Sequence, residues 1–258
     1  MKATEITELM KVELKNPLLI EGLPGLGMVG RIVVRYLSKV LKAEKFAELH
    51  SPHFPYYVIV NKSGNVRLLR GEFRFWRNNG KKGDDLVLLS GDSQAQTIEG
   101  QYEVANCILE FAQKIGAKTI VTVGGFRMET AEAPNVVAAA TRSALLERAV
   151  KAGAVASGAG NPIVGTAGLL LGMAGVKDLD ALCLLGETRG YLPDPKAAKS
   201  VLGVLAKLLD MDLDLGGLDK EIEKAEQIVA KMGQIERRRE LHAQKMRETE
   251  EGKVKYIS

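Results

Sequence analysis

Three glycines at a fixed spacing offer the first chemistry in this chain. Gly25-x-Gly27-x-x-Gly30 lies inside Ile-Glu-Gly-Leu-Pro-Gly-Leu-Gly-Met-Val-Gly, residues 20–30. Glycines so placed, between a strand and a helix, let backbone come close to a pyrophosphate and aim helix N–H groups at it. The apolar run Pro17–Ile20 reads as the strand, and Met28–Leu41 as the helix. Glu48 stands at about the separation where such folds carry the acid that binds a ribose. Two features oppose phosphate. Leu23-Pro24 are inserted between the strand end at Gly22 and the first motif glycine, and Glu21 would sit beside the phosphates and repel them. Without a nucleotide, the same glycines serve a tight strand-to-helix turn where backbones cross closely.

Three polar clusters follow apolar runs. They are Ser90–Gln96 with Asp92 and Gln94, Gly124–Glu129 with Arg127 and Glu129, and Gly186–Tyr191 with Glu187, Arg189 and Tyr191. Loops after strands are where open α/β sheets build their sites. Acids, arginines and hydroxyls in such loops suit a phosphorylase or hydrolase. A nucleophile with its base is missing: there is no Gly-x-Ser-x-Gly elbow, and no histidine lies near these loops. Gly-rich polar loops are also ordinary connections in any α/β domain. No metal site is expected. His50, His53 and His242 have no cysteine or acidic cluster to complete a ligand set, and local packing accounts for the first two.

These clusters need strands and helices to hold them. Leu18–Ile20 and Phe46–Leu49 flank the first helix. Tyr56–Val60 and Val66–Trp76, joined by Asn61-Lys-Ser-Gly-Asn65, read as a hairpin, and charges alternating with apolar residues in its second strand place one face in water. Leu86–Leu89, Thr119–Val123 and Leu182–Leu185 are continuous apolar runs, the pattern of strands covered on both faces. Helical periodicity marks Glu99–Ile115, Ser143–Ala152, Val164–Ala174 and Pro195–Leu209. The last starts at Asp194, a capping residue, followed by a proline at the first helical position. The alternation predicts a three-layer α/β/α domain with a mixed, mostly parallel sheet.

The 258 residues suffice for one such domain with an appendage. A net charge of +4 over mixed charges excludes a nucleic-acid footprint. Cys107 and Cys183, far apart in apolar surroundings, read as buried thiols of a reducing compartment. No signal peptide and no membrane-length apolar run is visible, so a cytoplasmic protein is expected. Composition changes after Leu215, which sets the expected division at 1–215 and 216–258. From Asp219 to Ser258, 10 of 40 residues are Lys or Arg and 9 are Asp or Glu, which excludes a second sheet domain there. Leu218, Ile222, Ala225, Val229, Met232 and Ile235 form a narrow helical stripe, suited either to packing on the domain or to pairing with copies of itself. The expected helix runs from about Asp219 to Glu248, ahead of a flexible tail. Arg237–Arg239 read as a solvated helix face.

The glycines and loops together carry a resemblance. The stretch Glu21–Gly30, Gly124-Gly125, Asn161–Leu171 and Leu184–Ala198 with its Glu-Thr-x-Gly-Tyr-x-x-Asp-Pro order resemble the proteasome assembly chaperone family in its archaeal branch. The likeness spans about Asn16 to Leu209. It implies a nucleoside-phosphorylase-like fold without the catalysis, no cofactor, ATP independence, and homo-oligomers that bind the α-subunit ring of the proteasome core particle. It also implies a C-terminal helical extension and a tail that enters pockets between α subunits. The family's tail pattern is hydrophobic-Tyr-any residue. This chain ends Val254-Lys255-Tyr256-Ile257-Ser258, with Tyr256 third from the end and Lys255 at the hydrophobic position. An aromatic, an aliphatic and a carboxylate on a flexible tail suit capture in a basic pocket, and an oligomer would present several tails at once. The alternatives are an enzyme of the nucleoside-phosphorylase type at the strand-end loops and a dinucleotide-binding enzyme at the opening loop.

Overall fold

The computed structural model describes residues 1–78, 83–128 and 134–228. Contacts divide the chain between Leu215 and Gly216. In the larger unit the elements run β1 Glu5–Glu8, β2 Leu18–Gly22, α1 Val29–Val40, β3 Glu44–His50, β4 Val58–Val60, β5 Val66–Leu68 and β6 Gly71–Trp76. They continue with β7 Leu86–Gly91, α2 Ile98–Lys114, β8 Thr119–Arg127, β9 Val136–Ala140, α3 Ser143–Lys151, β10 Val155–Ala156, α4 Thr166–Val176, β11 Asp180–Thr188 and α5 Pro195–Leu208. Beyond it, residues 219–228 are helical, the described start of the C-terminal extension.

Among the described residues, nine strands form one sheet in the order β1-β3-β6-β7-β2-β8-β11-β9-β10, and β4 and β5 form a separate hairpin. The four central strands β7, β2, β8 and β11 are mutually parallel. Antiparallel pairs join β1, β3, β6 and β7 on one side and β11 with β9 on the other. Central strands covered on both faces must be apolar throughout, and Leu18–Ile20 and Leu86–Leu89 are buried without a gap.

Alternation along the strands sorts the two faces. Leu19, Val87, Leu89 and Ile120 join Val104, Ile108, Leu170 and Ala174 of α2 and α4 in one core. Phe46, Phe73, Phe75 and Phe111 pack in the same core, with centroids 4.8 to 6.4 Å apart in edge, tilted and stacked pairs. Such pairs add about 0.5–1.5 kcal/mol each beyond their burial. The other face meets α1 and α5, which touch each other and the sheet. That gives the three-layer α/β/α architecture.

Three sequence expectations shift. Val66–Trp76 is not one strand: the chain breaks at Leu69-Arg70, where Leu69 turns into the core and the Arg70 N–H reaches Asp92, so β5 and β6 belong to different sheets. Gly124–Arg127 and Gly186–Thr188 are not loops. They continue β8 and β11 in register from Leu185↔Gly124 to Thr188↔Arg127. Cys183 is buried but Cys107 is only partly so. The short strands β1, β9 and β10 gave no strong sequence signal, because strands of two to five residues carry too few alternations to read.

Candidate functional site

The opening loop sits where the parallel strands end, and Gly22, Gly27 and Gly30 stand where other parts of the chain approach closely. A Cβ on Gly30 would lie 2.3 Å from the Val123 carbonyl oxygen, and one on Gly22 would lie 2.2 Å from the Gly30 carbonyl oxygen. These two positions let α1 lie directly on β2 and β8. Gly27 has φ +58°, and its Cβ would lie 2.6 Å from Thr188 Oγ1. The loop is tied to the Gly-Tyr-Leu-Pro-Asp segment after β11. Gly27 N–H donates to the Gly190 carbonyl, and Asp194 N–H donates to the Gly27 carbonyl at 2.8 Å.

Asp194 holds this junction. Its Oδ1 accepts from Ala197 N–H at 2.9 Å, capping α5, and its Oδ2 accepts from Thr188 Oγ1 at 2.8 Å. Loss of a cap costs about 1 kcal/mol, and the buried Thr188 hydroxyl, which keeps the Gly190 N–H but loses its acceptor, adds a similar amount. Asp194→Ala is therefore expected to lower stability by about 2 kcal/mol in urea unfolding, with the m-value unchanged. A midpoint equal to that of the parent chain would remove this residue from the account.

Glu48 does not reach the glycine loop. It lies on β3, with the two strands β6 and β7 between it and β2, and pairs with Lys45 and Arg70. A ribose-binding acid follows from β2's immediate neighbour in a dinucleotide fold. Sheet order therefore separates the two halves of the sequence fingerprint.

Asp92, Gln94, Glu187, Arg127 and Tyr191 each have a partner within the chain. Asp92 takes Arg67 in a two-point ion pair, at 2.5 and 3.1 Å, and also accepts the Arg70 N–H. Arginine hydrogen bonding holds its carboxyl below the usual range against the opposing effect of burial, the largest influence on it. Gln94 joins two loops: Nε2 donates to the Pro24 carbonyl at 2.6 Å, and Oε1 accepts from Thr166 N–H and Oγ1 at 3.0 and 3.1 Å. Glu187 Oε2 accepts from the backbone and side chain of Asn135. Arg127 donates to Tyr191 Oη at 2.6 Å, with its guanidinium 5.3 Å from the ring centroid. Arg189 is exposed at the same edge. Glu129 and the tail residues Val254, Lys255, Tyr256, Ile257 and Ser258 lie outside the described residues. The structure thus brings Arg127 and Tyr191 together on the surface and assigns Asp92, Gln94 and Glu187 to bracing loops. Sequence reasoning overlooked the partners Arg67, Asn135 and Thr166, whose separations from these residues run from 25 to 72 positions.

Glu21 is not beside a ligand at the loop. Strand alternation turns it with Leu19 onto the α2–α4 face, where it is 1% exposed. Oε1 accepts from Leu23 N–H at 2.9 Å, and Oε2 has no hydrogen-bond partner. Burial pushes its pKa up to about 7, opposed by the Leu23 N–H. Burial likewise raises the Cys183 thiol to about 12, with the Glu21 charge adding to it. An inert thiol is the consequence. His53 packs at the start of α2, facing Glu103 at 3.1 Å and Thr97 at 3.3 Å. Among the described residues no group of His, Cys, Asp and Glu is arranged to hold a metal ion. No described helix is long and apolar enough to cross a membrane.

Comparison with known proteins decides the lineage. The PAC2 family description matches residues 19–233, most of the chain. The chain belongs to the PAC2 family. An uncharacterised protein from Methanocaldococcus jannaschii is 36% identical over 224 residues, 86% of this chain and 85% of that protein. Among solved structures, Pyrococcus furiosus PbaB, described as an archaeal proteasome activator, superposes with TM-score 0.86 and 37% identity, covering 90% of this chain and all of that one. Pyrococcus furiosus PbaA, described as an archaeal homolog of proteasome-assembly chaperone, gives TM-score 0.71 and 26% identity over 88% of this chain and 96% of that one. For this PAC2 chain the likeness confirms the α/β fold. The glycine loop within it is the joint between β2, α1 and the segment after β11.

Proposed function

We propose that this protein is a non-enzymatic proteasome-binding factor, an assembly chaperone or activator, that docks on the α-subunit ring of the core particle as a homo-oligomer in the cytoplasm. The observation that carries it is the 37% identity and TM-score 0.86 with the archaeal proteasome activator PbaB over that chain's full length. The strand-end chemistry supports it from the other side. Asp92 and Glu187 are engaged by Arg67 and Asn135, which leaves no carboxylate among them free for acid–base work. Docking would proceed without ATP and would use the tail Val254–Ser258 for the pockets between α subunits, with Tyr256 and Ile257 as the apolar elements and several tails acting together. The exposed Arg127–Tyr191 pair would add a contact from the body of the protein.

The test is a pulldown of purified α-subunit rings by the full chain, by a variant lacking Gly252–Ser258, and by Tyr256→Ala. The full chain is expected to retain the rings, and both variants to bind at least about tenfold more weakly, because avidity multiplies the loss of each tail. Retention by the shortened chain equal to that of the full one would move docking to the body. Failure of the full chain to retain any ring would remove the proposal altogether.

A further inference from the structure

Between α1 and strands β5, β6 and β7 lies a cavity of about 310 Å³ on the sheet face away from α2 and α4. Its lining is unusually cationic. Arg35 and Lys39 come from α1, Arg67 from β5, and Arg70 and Arg74 from the β6 side, against only Glu72 and Asp92 as acids. The floor is strand β7 at Leu88 and Ser90.

The acids are already used. Asp92 is taken by Arg67, and Glu72 by both Arg70 and Arg74. Glu48, behind the wall, is taken by Lys45 and Arg70. The Arg35 and Lys39 side chains have no ion pair or hydrogen bond among the described residues. Arg31 continues the same ridge toward the start of α1, and its Nε is buried with no hydrogen-bond partner. Burial first, then the charge of Arg35, lowers the Arg31 pKa.

Residues 31, 35 and 39 recur every fourth position, so they stack along one helix face over roughly 12 Å. Like charges at that spacing repel and weaken a helix. A packed domain that keeps such a ladder facing a hollow gains nothing for its fold from the arrangement. An anion in the hollow would relieve the repulsion and meet the guanidinium groups of the opposite wall. Arginine forks match phosphate oxygens two at a time, and lysine adds a point charge. The cations converge from two walls on an open hollow, which suits a compact, multiply charged group. An extended acidic peptide would follow a surface stripe and meet one wall only.

We propose that this cavity binds a ligand carrying a diphosphate, gripped between the α1 ladder and the β5–β6 arginines. This goes beyond proteasome docking and does not depend on it. The source is either inorganic diphosphate or a nucleoside diphosphate, and the volume, near the lower end for small-molecule sites, admits both.

Isothermal titration of the full chain in low-salt buffer free of phosphate separates the outcomes, with inorganic pyrophosphate, ADP and a hexaglutamate peptide as probes. Saturable binding of pyrophosphate or ADP, weakening as salt is raised, is expected. The double substitution Arg35→Ala with Lys39→Ala should weaken it at least about tenfold, since two charge-assisted contacts go at once. Both side chains are exposed, so the variant should fold, and a melting temperature equal to or above that of the parent checks this. ADP binding more tightly than pyrophosphate assigns the source to a nucleotide, and equal affinity assigns it to the inorganic ion. The proposal is overturned by failure of both phosphate probes to bind, by undiminished binding in the variant, or by hexaglutamate binding as tightly as pyrophosphate. The last would give the groove to an acidic polypeptide.

Discussion

Gly30→Ala is expected to lower stability by at least ~3 kcal/mol and to leave much of the chain unfolded or insoluble. The added methyl would stand 2.3 Å from the Val123 carbonyl oxygen and 3.0 Å from the Gly22 Cα. Both obstacles are backbone, so no rotamer change makes room. α1 would have to lift from β2 and β8, and that would open the interface filled by Val33, Val34 and Leu37. Gly203→Ala supplies the contrast. Position 203 lies inside α5, and a Cβ there meets nothing within 4 Å. In a helix interior this replacement stabilises by about 0.5–1 kcal/mol, because glycine loses more backbone freedom on folding. Urea midpoints of the two variants should therefore move in opposite directions from the parent. Equal, small shifts in both would show that the close crossing at Gly30 is not what the glycine is for.

The second large effect is one of pH. Glu21 has its pKa raised from 4.5 to about 7 by burial. The folded state therefore holds a proton that the unfolded state releases between these values. Below pH 4.5 both states are protonated and Glu21 imposes no penalty. As pH rises from 4.5 to about 7 the unfolded state ionises while the folded state keeps its proton, and stability falls by about 3 kcal/mol; above about 7 the carboxylate is buried charged and the loss is complete. Glu21→Gln should flatten this slope. The amide oxygen can still accept from Leu23 N–H, so the turn is preserved. The variant and parent should have similar unfolding free energies near pH 5, and the variant should be the more stable at pH 8. Parallel pH profiles would sink the assignment of the titration to Glu21.

These two residues also mark how far the sequence could be read. The glycine spacing around Gly30 was visible, and so was the strand-to-helix turn it makes. Its partner Val123 stands 93 positions away, and nothing in the local pattern names it. Glu21 appeared as a charge beside a loop. Strand alternation alone would have turned it onto the face of Leu19, but which face that is depends on α2 and α4. Asp92 and Glu187 looked like free acids at strand ends because Arg67 and Asn135 approach them only after the sheet is assembled. The resemblance to the proteasome assembly chaperone family rested on the order of motifs, which survives whatever their contacts turn out to be.

Local chemistry is what the chain by itself determined. Continuous apolar runs require strands covered on both sides, as at Leu18–Ile20 and Leu86–Leu89. Asp194-Pro195 starts a helix because the side chain and the fixed φ act within one turn. Each of these is settled by neighbours a few residues apart. The tertiary structure alone decided the strand order, and with it that two strands stand between Glu48 and the glycine loop. It decided that Gly30 admits backbone, and that Arg35, Arg67 and Arg74 surround one hollow. Those outcomes depend on which buried faces meet, and residues tens of positions apart meet only when the sheet closes between its two helical layers.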